Sequence, residues 1–284
     1  MLQHLEKKNV TMLPGLFRER MLVNRNYLLE LGTQELLQNY YLEAGIVIPD
    51  LPVLERPETA KLHWGWEAPT CQLRGHFLGH WLSAASSLIA SENDAALKAK
   101  LDEIISELAR CQELNGGEWI GPFPEKYFTR LEKELHIWSP QYVMHKLIMG
   151  LTHAYLYAGN EQALTIVRHL ADWYIRWTEK VQSTNPHAVY SGEESGMLEM
   201  WAQLFETTKD PVYETLASRY SNPSLFHNLS EGKDALTNCH TNSSIPWAHG
   251  AARMYEVTGD EKYKTIAELF WKCAVTDRGY FCTG

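Results

Sequence analysis

Four times in this chain a segment with apolar residues at helical spacing stops at a short Gly, Asn or Asp turn, and a second such segment starts at once. The turns are SENDAAL from Ser91, AGNEQAL from Ala158, TKDPVY from Thr208 and TGDEKY from Thr258. In the last three, Asn160, Asp210 and Asp260 stand where a helix N-cap belongs, about 50 residues apart. From Asp94 to Asn160 the interval is longer, and the excess lies in the Pro- and Gly-rich stretch Asn115 to Pro124. Large apolar residues follow each turn at helical spacing: Leu164, Leu170 and Trp173, then Tyr213, Leu216 and Tyr220, then Tyr263, Leu269 and Phe270. A helical hairpin recurring at a fixed period cannot bury its apolar face alone and must stack on its neighbours.

Stacked hairpins form either an open solenoid or a closed α/α toroid. The connections between these hairpins are long, irregular and rich in aromatic and ionisable residues, which favours the toroid over an array with short uniform linkers. No stretch sustains the period-2 alternation of a strand, so the fold class expected is all-α, an (α/α) toroid with almost no sheet. A six-hairpin ring would take roughly 300 residues or more. Four clear turns and an N-terminal helical segment in 284 residues predict a single α/α-barrel domain over 1–284, an incomplete (α/α)6 barrel truncated at its C-terminal end. The N-terminal part, Leu16 to Ala44, reads as one long helix or a bent pair, with Gly45 as its C-cap. Ile46 to Lys61 carries Pro49, Pro52 and Pro57 and reads as an extended loop.

The net charge of −9 and the lack of a basic run exclude a nucleic-acid partner. No apolar run approaches the roughly 20 residues that span a bilayer, and the first residues lack the apolar core of a signal peptide. Five cysteines (Cys71, Cys111, Cys239, Cys273 and Cys282), odd in number and without a C-x-x-C pair, fit reduced thiols. A cytoplasmic location is therefore expected. Ten tryptophans and fourteen tyrosines are many for this length and point to a wide aromatic-lined cleft.

Four segments carry the chemistry, and all are read as connections between hairpins. The richest is WGWEAPTCQLRGHFLGHWLSAA, from Trp64 to Ala85, with Trp66, Glu67, His76 and His80. Its two histidines are four apart and share one helical face. Aromatic faces beside hydrogen-bonding groups suit a sugar ring, whose C–H face stacks while its hydroxyls bond; the same histidines could also be satisfied core or cap residues. The second segment, Pro122 to His145, places His145 three residues after Tyr142 on one face. In the third, GEESGMLEMW, Glu193 and Glu199 flank a Ser-Gly turn, offering either two working carboxylates or an acidic first helical turn. In NCHTNSSIPWAHG, His240 and Asn242 precede Ile245-Pro246, so an extended segment is expected, entering a helix at Pro246. In a ring of hairpins these connections gather at one end and converge on one cavity.

Other chemistries find little support. A zinc site from Cys239, His240 and Cys282 matches no finger or ribbon spacing. There is no G-x-S-x-G elbow for a Ser/His/Asp hydrolase, and no P-loop or dinucleotide fingerprint.

In order along the chain, GWEAPTCQLRGHFLGHWLSA, LARCQELNGGEWIGPFP, WSPQYVMHKLIMGLTHAY, EESGMLEMWAQLFETTKD and CHTNSSIPWAHGAARMYEVTGDEKY resemble the N-terminal part of glycoside hydrolase family 127. The resemblance implies an (α/α)6 barrel and an exo-acting hydrolase that removes β-linked L-arabinofuranose from plant-derived glycans. It also implies a retaining double displacement, with a zinc-bound cysteine thiolate as nucleophile and a glutamate as acid/base. His145 and His240 match family histidines lining the sugar subsite. Glu67, His76 and Glu199 match motif positions, and Tyr142, Trp66 and Asn242 join them as substrate-binding candidates. No catalytic residue maps onto this chain: the acid/base glutamate follows a motif resembling YFCTG, and the zinc ligands lie further on. Zinc is thus expected for the full-length family but without ligands here. The family's Gly-Gly-Met-Asn-Glu is here Ser195-Gly196-Met197-Leu198-Glu199, a change within the subsite. Two other readings stay open: a non-catalytic carbohydrate-binding or scaffold protein, and another α/α-toroid enzyme of the unsaturated glucuronyl hydrolase or sugar epimerase type.

Overall fold

The computed structural model describes residues 5–47, 62–221 and 223–279. Twelve α-helices and no strand occur among the described residues. Most of the proline-rich stretch from Ile46 to Lys61, and the YFCTG motif with Cys282, lie outside them. In chain order the helices are α1 (Leu16–Glu30), α2 (Thr33–Glu43), α3 (His76–Glu92), α4 (Ala95–Leu114), α5 (Lys126–Glu132) and α6 (Pro140–Ala158). They are followed by α7 (Glu161–Thr184), α8 (Met197–Thr208), α9 (Pro211–Arg219), α10 (Ser224–Ser230), α11 (Thr241–Thr258) and α12 (Glu261–Trp271). The expected N-terminal helix is a bent pair, broken at Leu31-Gly32, and Gly45 ends it at φ 68°.

All four hairpin turns are built alike. The first helix ends on a residue in the left-handed conformation, namely Asn93, Gly159, Lys209 or Gly259. The next residue is extended in three of the four turns, at Asp94, Asp210 and Asp260, and caps the second helix: Asp94 accepts from the Ala96 and Leu97 N–H groups, Asp210 from Val212 and Asp260 from Lys262. Asn160 fills the same place and accepts from Ala163. One left-handed residue followed by one capping residue reverses the chain in the shortest space and satisfies both helix ends. Asp260→Ala removes this exposed cap, and an unfolding titration should show a loss of about 1 kcal/mol.

The chain forms two compact units, Met1–Arg130 with His136–Trp173, and Leu131–Leu135 with Tyr174–Gly284. In the first, α3 and α6 run side by side in the same direction: contacts rise in step, from His76 with Tyr142 to Ser83 with His153. They cross with backbones almost touching, because Gly79 and Gly150 have no side chain. A Cβ on Gly79 would lie 2.0 Å from the Lys146 carbonyl oxygen, and one on Gly150 would lie 2.6 Å from that of Gly79. Helices α1, α2 and α4 cover α3, and the Trp81 indole N–H donates to the Leu28 carbonyl at 3.1 Å.

In the second unit, α8 and α11 are likewise parallel neighbours, with Leu198 against Gly250 and Glu206 paired to Arg253. Helix α9 packs on α8, and α12 packs on α11. Parallel first helices, each with an antiparallel partner attached by a short turn, are the repeating unit of an α/α fold. Helix α11 begins at Thr241, so Pro246 lies inside it instead of opening it. The proline N cannot donate to the Asn242 carbonyl, and because Asn242 is exposed that carbonyl is left to water. His240 is therefore the N-cap residue and Asn242 a first-turn helical residue.

The aromatic content has gone mainly into the core. Trp81, Trp119, Trp173, Trp177 and Trp201 are buried, and Trp119 sits 4.7 Å from Trp173 and 5.7 Å from Phe128 between ring centres. Of the tryptophans around the histidine-rich segment, Trp64 and Trp66 are exposed.

Candidate functional site

Glu67 builds the site's floor. It ends a short 3-10 turn, Gly65–Glu67, and its side chain folds over the start of α3. The carboxylate accepts from the Gly75 N–H at 2.6 Å, from the Phe77 N–H at 3.0 Å and from the Asn39 amide at 3.3 Å. Its Oε1 lies 2.7 Å from His76 Nδ1. Burial alone would raise this carboxyl, but the bonds from His76, Phe77 and Gly75 outweigh it and hold it below its ordinary value. Glu67 is a helix cap and an imidazole anchor, with its acceptor capacity used. Because the folded carboxyl is the stronger acid, its stabilisation is present at neutral pH and is lost as pH falls through its depressed titration. Glu67→Gln places an NH2 against backbone donors, and urea unfolding at pH 7 should show a loss of about 2 kcal/mol that shrinks towards acid pH.

His76 Nδ1 faces two acceptors, Glu67 Oε1 and the Leu73 carbonyl at 3.1 Å, so it carries the proton. In the neutral ring this leaves Nε2 as an acceptor. Around the ring stand Trp66 at 6.1 Å, His80 at 5.9 Å and Tyr142 at 6.2 Å between centres. The Lys146 ammonium lies 4.6 Å from the centre of the Tyr142 ring. His145, on α6, is buried, and its Nε2 has no hydrogen-bond partner among the described residues.

Three imidazoles of this region, His145, His80 and His153, are disfavoured in their charged form. Burial, then the charges of Lys146, His80 and His153, push His145 far below the usual histidine range. His80 is more open, yet the surrounding protein and the charges of Lys146 and His76 lower it to about 4. Burial and then Lys7 lower His153 to about 4, and its Nδ1 lies 3.0 Å from Ser83 Oγ. A neutral imidazole both donates and accepts, so a group of them beside an exposed indole suits a neutral polyhydroxylated ligand.

Of the residues singled out from the sequence, Trp66, Glu67, His76, Tyr142 and His145 thus form one cluster in the first unit. The helices position them: His76, Tyr142 and His145 stand in the opening turns of α3 and α6, and not on connections as their segments suggested. Glu199, His240 and Asn242 belong to the second unit. Glu199 is half-buried in the first turn of α8, while His240 and Asn242 are exposed at the start of α11.

The second unit holds a carboxyl that sequence reasoning passed over. Glu194, buried just before α8, accepts the Trp247 indole N–H at 3.1 Å. Burial raises it to about 7, against the opposing effects of its own backbone N–H and the indole, and neighbouring Glu193 adds to the rise. Its partner lies 53 residues away, so nothing local in GEESGM distinguishes it from Glu193 or Glu199.

No group of three or more His, Cys, Asp and Glu that could hold a metal ion occurs among the described residues. Two of the described cysteines do not suit a thiolate ligand or nucleophile: burial pushes the Cys111 thiol up to about 12 and raises that of Cys273. These residues do not fit the zinc centre that the family resemblance implies. No helix among the described residues is long and apolar enough to cross a membrane.

No curated protein matches the chain. Among solved structures, a GH127 beta-L-arabinofuranosidase from Geobacillus stearothermophilus T6 superimposes with a TM-score of 0.59 at 15% identity, over 93% of this chain and 45% of that one. The chain thus spans less than half the length of that enzyme and shares its α/α-barrel fold. The family profile described as "Beta-L-arabinofuranosidase, GH127 catalytic domain" matches residues 9–284, and by that match the chain belongs to glycoside hydrolase family 127.

Proposed function

We propose that this chain is the sugar-binding portion of a β-L-arabinofuranosidase-type hydrolase acting on plant-derived arabinose-containing glycans. The observation that carries the reading is the buried Nε2 of His145, which has no hydrogen-bond partner among the described residues. A buried polar atom without a partner costs about 1–3 kcal/mol, and a sugar hydroxyl would satisfy it. The exposed Trp66 face, the Tyr142 phenol and His76 Nε2 supply the stacking surface and further hydrogen bonds that a furanose needs. His240, Asn242 and Glu199 are proposed as substrate-binding residues on the resemblance alone.

The nucleophile, the acid/base and zinc would come from sequence other than these 284 residues, since no cysteine here maps to the family's nucleophile. A cytoplasmic location, with reduced thiols, belongs to the same proposal. Calorimetry with L-arabinose tests it: the wild-type chain should bind, and His145→Ala should bind about tenfold more weakly. Equal affinity would overturn the role of His145, and no wild-type binding would overturn the sugar reading. Hydrolysis of an aryl β-L-arabinofuranoside by the 284-residue chain would overturn the assignment of the catalytic groups to other sequence.

A further inference from the structure

Glu194 is a carboxyl whose burial no cation offsets among the described residues. Its bonds are to the Trp247 indole N–H and to its own backbone N–H. From its own segment Glu193 faces it, and Tyr190 and Tyr220 stand on the sides of the preceding turn and the end of α9. From α11 the facing group is the indole itself, while His240 and His249 of that helix are exposed. A Gln at this place would hold the indole equally well without a buried charge, so the carboxyl is a costly choice for mere packing.

Trp247 is half-buried, in contrast to Trp177 and Trp201 of the same unit, which are buried. It sits on the first half of α11, where Glu194 meets it in register with the tight contact of Leu198 and Gly250 one turn on. One hydrogen bond therefore fixes the ring while part of it stays accessible. An indole with its N–H tied down and ring surface open is a stacking platform for a sugar.

We propose that Glu194 is a positioning residue that sets the orientation of the Trp247 indole, and that a proton on Glu194 changes how firmly the indole is held. The platform's ligand, an L-arabinofuranoside, rests on the function proposed above. An ionised carboxylate accepts the indole N–H roughly twice as strongly as a neutral carboxyl. The ring is held more firmly above the carboxyl's titration than below it, and sugar affinity follows.

The first test needs no ligand. Tryptophan emission of the wild-type chain, with the Trp247→Phe spectrum subtracted, should titrate between pH 5 and pH 9 with a midpoint near 7. Glu194→Gln, which keeps the acceptor oxygen, should give a flat curve at the same folded signal, checked by near-ultraviolet circular dichroism. A flat wild-type curve, or an unchanged titration in Glu194→Gln, would overturn the proposal. Calorimetry with L-arabinose then reads the consequence: affinity about fivefold higher at pH 8.5 than at pH 5.5 in wild type, and constant in Glu194→Gln. Titrating emission in a chain that binds no L-arabinose at either pH would support the coupling and overturn the arabinofuranoside reading.

Discussion

Gly79→Ala should destabilise the first unit by about 3 kcal/mol and lower its melting temperature by roughly 6–12 °C in a calorimetric scan. By helix propensity alone the change would stabilise α3 by about 1 kcal/mol, since Gly79 lies in its interior. The steric term decides the sign. A Cβ would stand 2.0 Å from the Lys146 carbonyl oxygen and 2.2 Å from its carbon. Backbone of a packed helix cannot yield as a side-chain tip can, so α3 and α6 must separate. His76 and His80 would then draw away from Tyr142, His145 and Lys146, and L-arabinose binding should fall with stability. Gly116→Ala is the control: its φ of 94° makes alanine strained, but nothing lies within 4 Å of the added carbon. That variant should lose only about 1–2 kcal/mol and bind sugar unchanged.

Glu194→Gln should leave stability nearly unchanged at pH 4 and raise it by about 3 kcal/mol at pH 8.5, measured by urea unfolding at each pH. The carboxyl's ordinary value is 4.5, and in the folded chain it is raised to about 7. Between those values the folded state holds a proton that the unfolded state has released. Stability from this group is therefore complete below pH 4.5 and is lost as pH rises to about 7, beyond which the folded chain carries a buried charge. At about 1.4 kcal/mol per pH unit, that interval is worth about 3 kcal/mol, which the amide, having no proton to lose, does not give up. A variant that is no more stable than wild type at pH 8.5 would show that Glu194 is solvated or paired when ionised.

The turn signals were legible because capping is local chemistry. Asp94, Asn160, Asp210 and Asp260 accept from N–H groups two or three residues on, so a hairpin announces itself within a few positions. His76 and Glu67 were legible in part: the spacing of the former to His80 gave a shared face, but the fully used carboxylate of Glu67 depends on Asn39, 28 residues earlier. Abundant tryptophan suggested a cleft, yet the same residue type fills a core equally well. Burial distinguishes the two uses, and burial depends on neighbours far away in sequence.

Helical apolar spacing and capping turns pointed, without any coordinates, to paired helices and almost no sheet, and the five ordered motifs pointed to the family. Which carboxyls are spent on structure and which stay titratable was decided only in three dimensions. Glu67, Glu193, Glu194 and Glu199 are alike as letters, and what separates them is desolvation and the identity of partners up to 53 residues away. The close crossing at Gly79 and Gly150 belongs to the same class, because the absence of a side chain has meaning only where another backbone comes to occupy the space.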